Sequence, residues 1–145
     1  PIWELDVYLV PQNERYEIIK KLSDEFGLTE DLNEKIQGYS HGMRQKLNII
    51  SVLLHTPKNW ILDEPMTGLD PKASYTLKQL MKKHRDNGNT VFFSTHVLDV
   101  AEKLCDKIAI IDKGKIIFVG TPEELKEKAK NSASLEESFL KIVND

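Results

Sequence analysis

The most informative stretch of this sequence is Trp60-Ile61-Leu62-Asp63-Glu64-Pro65-Met66-Thr67-Gly68-Leu69-Asp70-Pro71. It begins with a brief apolar run, which is typical of a buried strand in a parallel sheet. Asp63 and Glu64 follow directly, at the carboxyl end where parallel sheets present ligand-binding groups. One carboxylate there could hold a hydrated Mg2+ while the other polarises an attacking water. An acidic turn that simply ends the strand is the alternative that these residues alone leave open.

The residues that follow predict an alternation of helix and strand. Asp70 and Pro71 supply an N-cap and a first-turn proline. The predicted elements are a helix over 70–85, a strand over 90–94 and a helix over 97–105. This order, joined to the strand that begins at Trp60, is typical of a parallel α/β sheet.

The last third of the chain predicts a hairpin and two helices. Two apolar runs, 108–111 and 116–119, flank a hairpin signal, Asp112-Lys113-Gly114-Lys115. Thr121 and Ser134 each begin a capping-box pattern, which opens a helix. The predicted fold class is therefore α/β, with a parallel sheet followed by a C-terminal β-hairpin and helices.

The segment before the central stretch is predicted to be helical. Apolar residues recur at helical spacing from about Asn13, and Gly27 is expected to end that helix. The range 29–36 predicts a short second helical piece. A third helix is expected to start near Ser40, its predicted N-cap, and to end before Pro57. The first ten residues show no clear period and stay unassigned.

The composition limits the classes of protein to which this chain can belong. Of the 145 residues, 40% are apolar and 30% are charged, which excludes a membrane-spanning stretch and a low-complexity chain. The net charge of -3 gives no overall field that would hold nucleic acid, so any phosphate site has to be built locally. Cys105 is the single cysteine and cannot form an internal disulfide, which fits a reducing cytosol.

Three motifs occur in the order of one known family. The stretch 60–71 resembles the Walker B segment and D-loop of ATP-binding cassette (ABC) ATPases. Upstream, Tyr39-Ser40-His41-Gly42-Met43-Arg44-Gln45-Lys46-Leu47 looks like the signature motif of that family, with His41 and Met43 in place of its usual Gly and Gln. Downstream, Ser94-Thr95-His96 is similar to its switch-histidine loop. The resemblance extends from about residue 13 to the end.

The resemblance implies catalytic roles for three side chains. Glu64 would orient or deprotonate the attacking water, and Asp63 would hold Mg2+ through water. His96 would donate a hydrogen bond to the γ-phosphate of ATP, where charge develops during transfer. The remaining histidines are expected to be structural.

The resemblance also implies a nucleotide contact across a dimer. Ser40 and Gly42 precede a helix N-terminus, whose free amides and dipole favour an anion. In the family, this signature binds the γ-phosphate of the nucleotide held by the other subunit of a head-to-tail dimer. Asp70 would add contacts across the same interface. On the residues alone, Ser40 and Asp70 could serve only as N-caps, and the two roles are compatible.

The sequence holds no P-loop, the string of Gly, any four residues and Gly-Lys-Ser/Thr that cradles the β- and γ-phosphates. The resemblance therefore implies the C-terminal portion of a nucleotide-binding domain, with a partial P-loop NTPase (RecA-like) core. Its expected parts are an undefined segment at 1–12, part of the ABC α-helical subdomain at 13–56 and the C-terminal half of the ATPase core at 57–145. This portion alone is expected to be inactive.

As a whole, the resemblance implies the ATPase subunit of an ABC transporter, of the exporter type that handles drugs or antibiotics. Its expected partners are a transmembrane permease subunit and a second nucleotide-binding domain, with no nucleic acid. Its expected location is the cytoplasm, peripheral on the inner face of the cell membrane. Two other functions stay open: a soluble ABC-class ATPase that acts on ribosomes or DNA, and a stand-alone interaction domain.

Overall fold

The computed structural model describes residues 11–55, 57–129 and 134–144. The first ten residues, which the sequence pattern leaves unassigned, lie outside the described residues. The chain forms two compact units, which meet in sequence between Ser94 and Thr95. Each unit is described by itself.

The described residues of the first unit form three α-helices and a pair of parallel strands. The elements are α1 (Gln12–Phe26), α2 (His41–Leu53), β1 (Asn59–Leu62), α3 (Pro71–Asp86) and β2 (Thr90–Phe93). The strands pair in register from Asn59 opposite Thr90 to Leu62 opposite Phe93. The predicted parallel α/β arrangement is confirmed, because helix α3 connects two parallel neighbours.

Local signals set the helix ends of this unit as the sequence predicts. Gly27 ends α1 in the left-handed conformation, at φ 64°. The Ser40 hydroxyl caps α2 by accepting the amide of Met43, and Asp70 caps α3 by accepting the amide of Ala73. Each cap supplies an acceptor to an amide that has none within its own helix.

One apolar core holds the first unit together. It joins the inner faces of all three helices to β1, and its buried members are Leu22, Phe26, Leu28, Tyr39, Ile49, Ile50, Leu53, Leu54, Trp60, Ala73, Leu77 and Met81. The His84 ring stacks on Trp60 with ring centroids 4.0 Å apart, which confirms a structural role for this histidine. Because α1, α2 and α3 share this core, the core fixes the positions of the loops at the starts of α2 and α3 relative to each other.

Two predictions about this unit are wrong in detail. The expected helical piece at 29–36 is a pair of short 3-10 helices, Glu30–Asn33 and Ile36–Gly38. Glu34, between them, is extended, and segments this short rarely nucleate an α-helix. The strand at Trp60 is not buried on both faces, since Ile61 is 76% exposed. Among the described residues, helices cover one face of the pair.

The described residues of the second unit form three α-helices and a hairpin, which share one apolar core. The elements are α4 (Leu98–Leu104), β3 (Ile108–Asp112), β4 (Lys115–Gly120), α5 (Pro122–Lys128) and α6 (Leu135–Asn144). The β3 and β4 strands pair antiparallel around the predicted turn, where Lys113 and Gly114 both have positive φ. The predicted capping box at Thr121 is complete. The buried core residues of this unit are Ala101, Ile110, Phe118, Leu125 and Leu135.

Within the described ranges, no helix has the length and apolar character that crossing a membrane requires. The predicted fold class, α/β with a parallel pair of strands, a C-terminal hairpin and helices, is confirmed. The predicted boundary between 56 and 57 stays a prediction.

Candidate functional site

The acidic end of β1 is the centre of the candidate site. The strand ends at Leu62, and the ladder with β2 continues for one more bond, from the Ser94 amide to the Leu62 carbonyl at 3.0 Å. Asp63 is exposed and Glu64 is half-buried, while Pro65 is buried. The parallel pair therefore delivers both carboxylates to its carboxyl edge, as the sequence predicts.

Glu64 has an unusual backbone conformation. Its φ is 43°, in the left-handed region that residues with a Cβ rarely adopt. Such a conformation costs about 1–3 kcal/mol and persists only where the surroundings fix it. The Glu64 amide donates to Ser94 Oγ at 3.0 Å, and the Ser94 hydroxyl donates in turn to Asp63 Oδ1. Ser94 thus touches both acidic residues.

Sequence reasoning gave Ser94 no role of its own. The one available signal was positional: Ser94 follows β2, the parallel neighbour of β1, so the ends of the two strands lie side by side. A hydroxyl at the end of one strand can then reach the residues that follow the other.

The start of α2 forms the second part of the site. Ser40 Oγ accepts the Met43 amide at 3.2 Å, so this hydroxyl is the N-cap that the sequence predicts. The first amides of the helix still point out of its N-terminus, where the dipole favours an anion. Gly42 lies against the loop after β1, because a Cβ on it would come within 2.7 Å of the Gly68 carbonyl oxygen. Position 42 thus requires glycine because it lies so close to the backbone of Gly68.

Several contacts join α2 to the loop between β1 and α3. Besides the contact of Gly42 with Gly68, Gln45 Nε2 donates to the Pro65 carbonyl at 3.4 Å. Lys46 Nζ lies 2.7 Å from Asp70 Oδ2, and only 14% of the Lys46 side chain is exposed. The structure therefore brings together, on one surface, the start of α2 and the loop 63–70 between β1 and α3, which is called the acidic loop below.

The carboxylate of Asp70 accepts hydrogen bonds within its own chain. The side chain of Lys46 and the backbone amide of Ala73 both donate to its carboxylate, and these hydrogen bonds lower the pKa of Asp70 below its ordinary value. Desolvation acts in the opposite direction and is smaller. Asp70 is therefore charged at neutral pH, and its carboxylate is hydrogen-bonded within its own chain while its side chain stays 48% exposed.

Acid is expected to weaken this link between Asp70 and Lys46. Because the folded-state pKa of Asp70 is lowered, its contribution to stability is present above the unfolded pKa of about 3.9 and is lost as pH falls through the folded value. The side chain is 48% exposed, so the contribution is at most about 1 kcal/mol. Urea unfolding should show that the difference in stability between wild type and Asp70→Asn shrinks between about pH 7 and about pH 3.

Asn is itself a good N-cap, so this substitution changes the charge and keeps the cap. Asp86→Asn, at the other end of α3, is the matched control and should change stability by less than about 0.5 kcal/mol at either pH. A difference for Asp70→Asn that is equal at both pH values would contradict the role given to Lys46.

His96 belongs to the second unit. It is exposed and lies in the loop before α4, where Thr95 Oγ1 accepts the Val97 amide at 3.1 Å. Of the predicted site residues, Ser40, Gly42, Asp63, Glu64 and Asp70 lie in the first unit, and only His96 lies in the second.

One carboxylate of the site could serve as a metal ligand. Within residues 11–55, 57–129 and 134–144, no three His, Cys, Asp or Glu side chains converge as a metal cage. Asp63 instead presents a single exposed carboxylate at the end of β1. That arrangement fits Mg2+, which keeps several waters and binds through one or two carboxylates together with substrate phosphates.

The family comparison matches residues 5–98 to the model described as "AAA domain, putative AbiEii toxin, Type IV TA system". The similar curated proteins include the linearmycin resistance ATP-binding protein LnrL of Bacillus subtilis, 39% identical over 68% of this chain and 32% of that protein. The ABC transporter ATP-binding protein NatA of the same organism is 35% identical over 81% of this chain and 49% of its own length. The daunorubicin/doxorubicin resistance ATP-binding protein DrrA of Streptomyces peucetius is 42% identical over 73% of this chain and 32% of its own.

A solved structure of the "ATP binding subunit of ABC transporter" superimposes with a TM-score of 0.90 at 30% identity, over 97% of this chain and 59% of that one. The chain spans half or less of the length of these three curated relatives. The α/β fold is thus of the P-loop NTPase type. The chain belongs to the family that the AAA-domain model describes, among the ATP-binding proteins of ABC transporters.

Proposed function

We propose that these residues form part of the ATPase subunit of an ABC transporter, which couples ATP hydrolysis to transport across a membrane. The observation that carries the proposal is the acidic pair at the carboxyl end of β1, where Asp63 is exposed and Glu64 is fixed in a strained conformation. Strained residues of this kind concentrate at active sites.

Each acidic residue has its own part in the proposed reaction. Glu64 orients the attacking water or takes its proton, and Asp63 holds Mg2+ through a bound water. When bound, Mg2+ neutralises charge on the transferring phosphoryl group. His96 donates a hydrogen bond to the γ-phosphate, a role taken from the family resemblance.

The nucleotide of a partner subunit is proposed to meet the start of α2. Ser40 and Gly42 contact its γ-phosphate, and Asp70 contacts the partner subunit in a head-to-tail dimer. The contacts of Gly42 with Gly68 and of Lys46 with Asp70 support this proposal, because they hold both regions on one surface. The exposure of Ser40 leaves the start of α2 accessible.

We further propose that the transporter exports drug-like or antibiotic compounds from the cell. This part of the proposal rests on the names of two relatives, which describe resistance to linearmycin and to daunorubicin and doxorubicin. The subunit then works at the cytoplasmic face of the membrane beside a transmembrane permease subunit. The net charge of -3 favours a protein partner over nucleic acid.

ATP hydrolysis is expected only where a P-loop is also present. The 145 residues contain no P-loop string, so they lack the amide cradle and the lysine that hold the β- and γ-phosphates. Phosphate release from ATP should therefore depend on Mg2+ in the complete ATP-binding protein that carries these residues. The 145-residue chain alone should stay at the background rate.

Two results would contradict this expectation in different ways. A complete protein without Mg2+-dependent turnover would overturn the proposed ATPase. Turnover by the 145-residue chain that Glu64→Gln abolishes would instead show that the P-loop is dispensable. Uptake of a resistance drug into inverted membrane vesicles that contain the permease, with and without ATP, tests the direction of transport.

A further inference from the structure

We infer that Ser94 is a positioning residue for the acidic pair, and this inference rests on the proposed ATPase function. Ser94 lies at the end of β2 and contacts the residues after β1, which are 31 positions away in sequence. It touches neither water nor nucleotide in this proposal. It acts through Asp63 and Glu64.

The backbone of Ser94 is fixed by the sheet. Its amide donates to the Leu62 carbonyl at 3.0 Å and extends the parallel ladder of β1 and β2 by one bond. Each hydrogen bond of a parallel ladder connects the backbone of one strand to that of its neighbour. The hydroxyl of Ser94 therefore starts from a fixed point beside the end of β1.

The hydroxyl makes two hydrogen bonds of opposite direction. It accepts the Glu64 amide at 3.0 Å and donates to Asp63 Oδ1. A serine hydroxyl has one proton and two lone pairs, so it can make both bonds at once. This pair of bonds connects the two acidic residues through one side chain.

Each bond has its own consequence for the acidic pair. The bond from the amide holds Glu64 at φ 43°, a conformation that the chain would otherwise leave. The bond to Asp63 occupies Oδ1 with a hydroxyl donor, which orients the carboxylate. Ser94 thereby fixes where the proposed water-activating group starts and which way the proposed Mg2+ ligand faces.

The test compares Ser94→Ala with Ser94→Thr in the complete ATP-binding protein. Alanine removes the hydroxyl, and threonine keeps it and adds one methyl group at an exposed position. Ser51→Ala is the matched control, since Ser51 also bonds through its hydroxyl, to the Asn48 carbonyl, but lies on α2 away from the acidic pair.

The first readout needs no nucleotide. Hydrogen–deuterium exchange of peptides that contain the Glu64 amide should become roughly tenfold faster at that amide in Ser94→Ala, because its acceptor is gone. Ser94→Thr and Ser51→Ala should match wild type within about twofold. Thermal unfolding of each variant shows whether the fold is intact.

The second readout is steady-state ATP hydrolysis. Ser94→Ala should lower kcat about tenfold and leave the KM for ATP within about twofold, because the change acts on the reacting geometry and not on nucleotide binding. Ser94→Thr should restore kcat. Higher Mg2+ should be needed for half-maximal activity of Ser94→Ala.

The outcomes separate this inference from the proposed function. Wild-type exchange and wild-type kcat in Ser94→Ala would overturn the role of Ser94 while leaving the ATPase in place. Equal losses in Ser94→Ala and Ser94→Thr would also overturn it, because the hydroxyl would not be the cause. If wild type does not hydrolyse ATP, the proposed function fails, and the exchange readout still decides whether Ser94 holds Glu64.

Discussion

Replacing Glu64 by Gln is expected to lower the ATP turnover of the complete protein by about a hundredfold to ten thousandfold. Glutamine keeps the size of the side chain but replaces one acceptor oxygen with an NH2 donor, so it cannot take a proton from water. The strained backbone at φ 43° and the hydrogen bond from the backbone amide of residue 64 to Ser94 Oγ do not depend on the side-chain charge. The position of residue 64 should therefore be retained. The loss should therefore appear in kcat.

Steady-state phosphate release over a range of ATP concentrations measures this prediction. The KM for ATP should stay within about threefold of wild type, because the substitution removes an interaction of the transition state. Glu30→Gln, in the short helix Glu30–Asn33, is the control for loss of one surface carboxylate and should leave turnover unchanged. A Glu64→Gln variant that keeps half of the wild-type rate would show that another group activates the water.

The parts of this structure that the sequence predicts well are those set by neighbouring residues. Ser40 and Asp70 cap helices by accepting amides three positions later, and Gly27 ends a helix through its own backbone conformation. Such signals act within one helical turn, so a short segment of sequence contains every residue that takes part in them. The placement of the acidic pair after β1 follows in the same way from a short apolar run.

Contacts between distant segments could not be predicted in this way. Ser94 contacts Asp63 only because β1 and β2 pair in one register, and a shift of that register would separate them. Gly42 shows a similar limit. The family resemblance implies a phosphate contact for Gly42, and the structure adds a close approach to the Gly68 carbonyl, which the sequence spacing does not reveal.

The sequence pattern also could not predict which residues of the strands are exposed. Ile61 belongs to an apolar run that is typical of strands buried on both faces, yet it is 76% exposed among the described residues. Phe92, which pairs with Ile61 across the ladder, is exposed as well. An apolar run specifies a strand, whereas the cover on each face depends on which other segments pack there.

Replacing Leu77 by Ala is expected to lower the free energy of unfolding of the first unit by about 2–5 kcal/mol. Leu77 lies on α3, is fully buried, and belongs to the core that α3 shares with α1, α2 and β1. Removing its branched end leaves a cavity that these packed elements can fill only in part. Domains of this size have a total stability of about 5–15 kcal/mol, so the loss is a large share.

Urea unfolding followed by tryptophan fluorescence measures this loss, because Trp60 lies in the same core and is 5% exposed. The midpoint should fall while the slope with urea stays constant, which marks a change in stability and not in the unfolded state. Tyr75→Ala is the matched control on the same helix: Tyr75 is 64% exposed, and its truncation should change stability by about 0.5 kcal/mol or less. Equal losses for the two variants would contradict the packing of α3, and with it the support that holds Asp70 and the acidic loop in place.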